Sequence, residues 1–398
     1  MSDAPWLTII GLGEDGPDGL APASQAALAQ ADVVMGPPRH LDLLPDVKAR
    51  RVEWPVPFTD GIPLLMGHRH RNVVVLASGD PFWFGAGSVI ARVLEPGEWR
   101  AFPGFSTFSL AAARLGWPLE NTICVALHAA PLTRVRPHLV PGQQIVVLLR
   151  DGDAVGEFGS YLTNLGFGDS SLMVLEALGG PRETCTETTA ASLPDRKYVH
   201  PVCVAVSVDG SGESLPRAAG LPDHVFDTDG QMTKRPVRAL TLSALAPRAF
   251  ETLWDIGGGS GSVAIEWLLA HPTTQAISIE QDEMRAKRIA ENAARLGVDR
   301  LQVRTGVAPD ALNGLAAPDA IFVGGGLSEA LLSRLQGDFP GTRLVANGVT
   351  LEAEALLAAW QIKIGGELLR IDVAQAQPLG TKRGWRASFP IVQWSVTL

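Results

Sequence analysis

The chain alternates short apolar runs that stop at glycine with stretches whose apolar residues recur at helical spacing. Residues 5–13 run apolar into Gly11-Leu12-Gly13, which predicts a strand and a Gly turn. Residues 21–31 follow with helical spacing and Ser24 as a candidate cap, and residues 32–36 predict a second strand. Val73-Val74-Val75-Leu76-Ala77 is a buried-strand pattern that ends abruptly at Gly79-Asp80-Pro81, where Pro81 has no donor to continue a ladder. A helix is expected from Ser88. Residues 102–107 then form a strand end and turn before a helix over 108–116 with a hydroxyl-rich start. Residues 143–149 and 175–183 add a strand and a strand with its turn.

Residues 209–231 are rich in Gly, Pro, Ser and Asp and predict a linker. A helix at 242–245 precedes the strand that begins at Leu253. That strand reaches Asp255 and then a turn with glycine at alternate positions, Gly257, Gly259 and Gly261, before a helix over 262–269. Residues 276–280 predict a strand ending on the Glu280 carboxylate, and 303–312 a strand end and small-residue turn. A strand with a Gly turn follows at 319–326. Residues 343–349 then predict a strand, 351–360 a helix, 366–373 a strand, 374–385 a loop and 388–396 the last strand. Strands alternating with helices in both halves predict an α/β fold.

At 398 residues, two domains are expected. Hydrophobic residues at 46% and charged ones at 19% describe an ordinary globular chain. The formal charge of −9 and the lack of a basic tract argue against a duplex or long RNA partner. Two clusters, Lys234, Arg235, Arg238 and Lys382, Arg383, Arg386, could receive an anionic small molecule or simply be solvated surface. Cys124, Cys185 and Cys203 are too few and too scattered for a disulfide framework or structural zinc. His68 and His70 lack a third ligand nearby, so no metal is expected. The start of the chain has no signal-peptide plan and no stretch has the apolar length of a membrane span, so no membrane partner and a cytoplasmic location are expected.

The second half carries a resemblance. Its G-x-G-x-G turn lacks the G-x-G-x-x-G spacing of a dinucleotide site. With Glu280, the small-residue turn within 303–312 and the Gly324-Gly325-Gly326 turn, it resembles the class I S-adenosylmethionine-dependent methyltransferases. The Thr233-Lys234-x-x-Val237-Arg238 pattern upstream is similar to the cobalt-pathway C15-methyltransferase/decarboxylases. In the first half, Gly11-Leu12-Gly13, Gly79-Asp80-Pro81 and Pro103-Gly104-Phe105-Ser106 resemble the class III tetrapyrrole methyltransferases. Residues 36–41 (Gly-Pro-Pro-Arg-His-Leu) resemble a loop in the cobalamin branch of that family, while Ala177 stands where the family often has Asn. The whole chain thus resembles the precorrin C5,15-methyltransferases, in which the C5 and C15 enzymes are fused.

That resemblance implies an N-terminal two-lobed tetrapyrrole methyltransferase fold over 1–208 and a C-terminal Rossmann-like class I domain over 232–398. It implies S-adenosyl-L-methionine at two sites per chain. In the first half the cofactor would lie on Gly11, Gly13, Gly79, Asp80, Pro81, Ser106 and Gly179, with Asp80 alternatively a helix cap. In the second half it would lie on Gly257, Gly258, Gly259, Ser260 and Gly261, with Glu280 at the ribose, Val307 and Ala308 at the adenine and Thr233 closing over it. Asp255 could anchor either the turn or the methionine amine. Lys234 and Arg238 would take substrate carboxylates and His40 would contact substrate. The implied reaction is methylation of precorrin-6B at C5 and C15 with loss of the C12 acetate carboxyl, giving precorrin-8X, and no catalytic side chain is assigned. A homo-oligomer through the C-terminal domain is implied as well. The rival readings are a nucleic-acid methyltransferase, or a chain in which one half only holds the tetrapyrrole or the assembly.

Overall fold

The computed structural model describes residues 5–45 and 47–398. It divides into two compact units, Met1–Leu132 with His138–Glu213, and Thr133–Pro137 with Ser214–Leu398.

The first unit holds two five-stranded sheets. The first sheet runs, in spatial order, Arg50–Glu53, Val33–Gly36, Val73–Ser78, Leu7–Leu12 and Trp99–Phe102, with every pair parallel. Its central strands are apolar apart from Thr8 and Ser78, because both faces are covered. Alternation decides the two cores: Leu7, Ile9, Val73 and Val75 enter one, and Ile10, Leu12, Val74 and Leu76 the other. The second sheet is mixed, in the order Thr122–Ala126, Gln144–Leu148, Val202–Ser207, Ser171–Glu176 and Thr184–Thr189. Helix Thr107–Leu115 packs against it through Phe108 and Ala111, facing Val146, Leu175 and Cys203.

The second unit is built on one seven-stranded sheet. Its order is Gln302–Thr305, Gln275–Glu280, Thr252–Ile256, Ala320–Val323, Arg343–Gly348, Ile391–Thr397 and Glu367–Ile371. The first five strands are parallel, and Ile391–Thr397 runs antiparallel between its two neighbours. The order reverses beside Thr252–Ile256, the switch point where α/β sheets place ligands.

Several sequence expectations are corrected here. Residues 214–231, expected within a linker, belong to the second unit, where Leu215, Leu221, Val225 and Phe226 are buried in its core. Sparse apolar residues without periodicity concealed this packing. The helix expected at 242–245 begins at Arg235, with Pro236 in its first turn, where a missing N–H costs nothing. Ser24 lies inside helix Pro22–Ala29, which opens on its proline. The expected loop at 374–385 is an antiparallel hairpin, Ala374–Leu379 with Lys382–Ala387. Among the described residues no helix is long and apolar enough to cross a membrane.

Candidate functional sites

In the first unit the loops that leave the carboxyl ends of the parallel strands meet backbone to backbone. Gly104 N donates to Gly79 O at 3.0 Å and Gly79 N to Leu12 O at 3.0 Å. A Cβ on Gly11 would stand 1.7 Å from Gly79 O, and one on Gly79, whose φ is +52°, 2.7 Å from Phe105 O. Only glycine permits this approach. Gly11 is therefore a packing residue beneath the turn rather than part of a ligand wall.

Above these turns lies a cleft of about 530 Å³ between the two lobes. Gly13, Gly79, Asp80, Ser106 and His40 of the sequence candidates line it. Pro81 and Gly179 do not. Pro81 is buried under its own loop and accepts from Gly87 N at 2.9 Å. Gly179, with φ +87°, donates to Glu183 Oε2 at 2.7 Å, while its neighbour Leu178 faces the cleft. Ala177 just before it is left-handed at φ +45°, a conformation Asn tolerates better. Asp80 does not cap the next helix. Its Oδ1 accepts from Phe82 N at 2.8 Å, closing a local turn, and the helix starts only at Gly87. Ser106 is the N-cap of Thr107–Leu115, accepting from Ser109 N at 3.0 Å.

The polar end of the cleft was only partly visible in sequence. Glu14, almost fully buried, pairs with Arg39 and also accepts from Arg182 Nη2 at 3.0 Å. Arg39 Nη2 lies 2.8 Å from His40 Nε2 and 3.0 Å from Ser78 Oγ. Because the guanidinium can only donate, Nε2 accepts and His40 carries its proton on Nδ1, facing the Leu76 carbonyl without a well-formed bond. Burial first, and then the Arg39 charge, hold His40 down to about 3, so it is neutral at physiological pH. Burial and Arg182 bring Arg39 down to about 10, which leaves it charged. His128 and His200 also line the cleft, both lowered by burial. Glu14 follows the Gly turn and Arg39 adjoins His40, but nothing in the spacing pairs them.

In the second unit, strand Thr252–Ile256 delivers Asp255 and the turn 257–261 to the sheet's carboxyl edge. Gly257 has φ +76°, and a Cβ there would stand 2.5 Å from Gly325 N, so the two Gly turns touch. Gly259 N donates to Glu280 Oε2 at 2.8 Å, and Asp282 N to Oε1 at 3.1 Å. Each carboxylate oxygen keeps a free acceptor position suited to a ribose hydroxyl. Ser260 Oγ is buried without a partner. A Gly cradle, an oriented carboxylate and an unpartnered hydroxyl together fit a nucleoside cofactor. Ala308 packs partly on the core, whereas Val307 is exposed.

Asp255 ties its strand to the start of helix Ser262–Ala270 and to the neighbouring strand. It is buried and held by Ala264 N and by Ser278 Oγ at 3.4 Å. Burial raises it to about 7. Lys234 is exposed at the N-cap of helix Arg235–Leu245.

Arg238 corrects an expectation. Its side chain is 0% exposed and cannot receive a substrate carboxylate. It bonds Glu266 Oε1 at 2.5 Å, Asp223 Oδ1 at 3.1 Å and the carbonyls of Leu221 and Thr233. Glu266 in turn accepts from Gly220 N at 2.6 Å and Leu221 N at 2.9 Å. This buried cluster pins residues 220–233 across the unit. Gln231 O comes to within 3.2 Å of where a Gly259 Cβ would be, so the backbone at Gln231 lies against the Gly turn. Sequence shows the arginine but not its partners, which lie up to 28 positions away. Among the described residues no cluster of His, Cys, Asp and Glu could hold a metal ion.

Two family models match: Tetrapyrrole (Corrin/Porphyrin) Methylases over residues 6–194 and Precorrin methyltransferase domain over 224–398. A precorrin-6Y C(5,15)-methyltransferase (decarboxylating) from Sinorhizobium sp is 48% identical over 99% of this chain and 97% of its own length. One of the same name from Mycobacterium tuberculosis is 40% identical over 98% of this chain and 99% of its own. The crystal structure of the C-terminal domain of precorrin-6Y C5,15-methyltransferase from Rhodobacter capsulatus is 53% identical, covering 46% of this chain and 98% of that one, with a TM-score of 0.44. Mutual coverage this complete, at this identity, places the chain in the family of precorrin-6Y C5,15-methyltransferases (decarboxylating), S-adenosylmethionine-dependent enzymes of cobalamin biosynthesis.

Proposed function

We propose that each unit holds its own S-adenosylmethionine, and that the chain methylates precorrin-6B at C5 and C15 while removing the C12 acetate carboxyl, giving precorrin-8X. The observation that carries this reading is the presence, in one chain, of two separate glycine cradles at the carboxyl ends of parallel strands, with a Cβ barred by backbone at Gly11 and Gly79 in one and at Gly257 in the other. The first unit would act at C5. The second would act at C15 and on the acetate.

In the first unit, Gly13, Gly79, Asp80 and Ser106 are the cradle residues that line the cleft, with Gly11, Pro81 and Gly179 supporting their loops. In the second, turn 257–261, Glu280, Ala308 and Val307 flank the cofactor, Asp255 braces the strand that leads into that turn, and Thr233 closes over the cofactor from the pinned segment. Lys234 is free to meet a substrate carboxylate there. The cofactor supplies an electrophilic methyl group and the macrocycle the nucleophilic carbon. The protein contributes placement, which can lower a barrier by roughly 7–11 kcal/mol in favourable cases. Titrating the full chain with adenosylhomocysteine is expected to give two saturable sites per chain. One site, displaced by a nicotinamide nucleotide, would refute the reading.

The second unit also supports a homo-oligomer. Its sheet ends on the open strand Glu367–Ile371, and Leu379, Trp385 and Phe389 stand exposed on and beside the hairpin. A second copy of this chain suits such a surface. We place the enzyme in the cytoplasm, with no nucleic-acid partner, since the charge of −9 opposes one.

A further inference from the structure

We infer that Arg39 is the residue that fixes which meso carbon of the tetrapyrrole the first unit methylates, by binding one substrate carboxylate at the inner end of the cleft. This rests on the reading of that cleft as a tetrapyrrole methylation site.

Arg39 is the only Lys or Arg lining the cleft among the described residues. The rest of the wall is dominated by apolar and aromatic groups. Trp83, Phe84 and Phe105 are all substantially exposed there and offer flat faces to a flat ring. A macrocycle edged with acetates and propionates cannot bury those carboxylates against such walls without partners. It must leave most of them in water. One that turns inward needs a cation, and Arg39 is the one whose side chain lines the cleft.

Arg39 is held ready for that contact. Glu14, His40 and Ser78 take three of its hydrogen bonds and fix the guanidinium plane. A guanidinium has five N–H groups, so donors remain for a further acceptor. Glu14 does not cancel the local charge, because it is shared with Arg182, leaving two cations on one carboxylate. Neutral His40 orients Arg39 without adding a competing charge. A ring with three chemically similar meso bridges can enter a cleft in several orientations. A single fixed ionic contact selects one of them, so the anchor acts on position as well as affinity.

The test uses full-length protein, precorrin-6B and methyl-labelled cofactor, with the variants Arg39→Met and Arg39→Lys. For Arg39→Met, KM for the tetrapyrrole should rise roughly 10- to 100-fold, the size of a lost charge-assisted hydrogen bond. Adenosylhomocysteine should still bind at both sites, which also reports folding. Carbon NMR of the product should show label at a meso carbon other than C5 and C15, the two that the native chain methylates. Arg39→Lys keeps the charge but loses the fork, so it should recover affinity more than positional fidelity. Unchanged KM with label only at C5 and C15 in Arg39→Met overturns the inference. If that variant does not fold, wild-type KM and fidelity in Arg39→Lys overturn it instead. A wild-type chain that fails to bind the tetrapyrrole would refute the underlying reading of the cleft, a distinct result.

Discussion

Two buried ionisable residues give the units opposite responses to pH. His40 has a folded value of about 3 against an ordinary 6.5, so the unfolded chain binds the extra proton between those values. The stability of the first unit therefore falls as pH drops from 6.5 towards 3. Asp255 is raised from 3.8 to about 7, so here the folded state holds the proton. The stability of the second unit falls as pH rises from 3.8 to about 7. Thermal unfolding across pH 4–8 should show the transitions of the two units moving in opposite directions. Asp255→Asn should flatten one slope and His40→Gln the other, and a profile unchanged by either substitution would contradict this assignment. Glycines matter at the same scale. Gly257→Ala should remove one adenosylhomocysteine site in calorimetric titration and leave the other, weakening binding there by roughly 100-fold, or about 2.7 kcal/mol.

Among the elements, the segment over 220–233 depends on a buried cluster. Arg238→Met leaves Glu266 buried without its partner, which should cost about 3–5 kcal/mol. The double variant Arg238→Met with Glu266→Leu should recover part of that loss, since replacing both charges removes the uncompensated group. Glu266 also accepts two backbone N–H bonds, so recovery will be incomplete. Denaturant unfolding followed on the second unit's transition checks both values. Solvent-screened pairs holding the same segment, such as Arg285 with Asp229 at 2.8 Å, should contribute far less. The same segment shows a limit of pattern reading. Its Gly, Pro and Asp content reads as a linker, yet four apolar residues without period, Leu215, Leu221, Val225 and Phe226, find places in the core.

For the whole molecule, the proposed function makes the two methylations independent. A full chain carrying Gly257→Ala should still add one methyl, at C5, and release no carbon dioxide. Mass measurement of the product reads both. Assembly belongs to this scale too. Sedimentation should show an oligomer in the native chain, and Trp385→Glu, on the exposed hairpin, should dissociate it without abolishing cofactor binding.

What was legible in the linear chain was whatever rests on local geometry. Apolar runs stopped by glycine marked the central strands within a residue or two, and turns at 79–81 and 257–261 were visible because positive φ and close backbone approach demand glycine there. The resemblance of those turns then identified two methyltransferase folds. Charged residues were a different matter. Arg238 and Lys234 look alike in sequence, one helix turn apart, yet burial makes the first a structural clamp and leaves the second in solvent. Arg39 became a candidate only once folding set it beside Glu14 and Ser78, 25 and 39 positions away. A glycine's role follows from its own backbone, whereas a charge's role is decided by which distant groups share its low-dielectric surroundings.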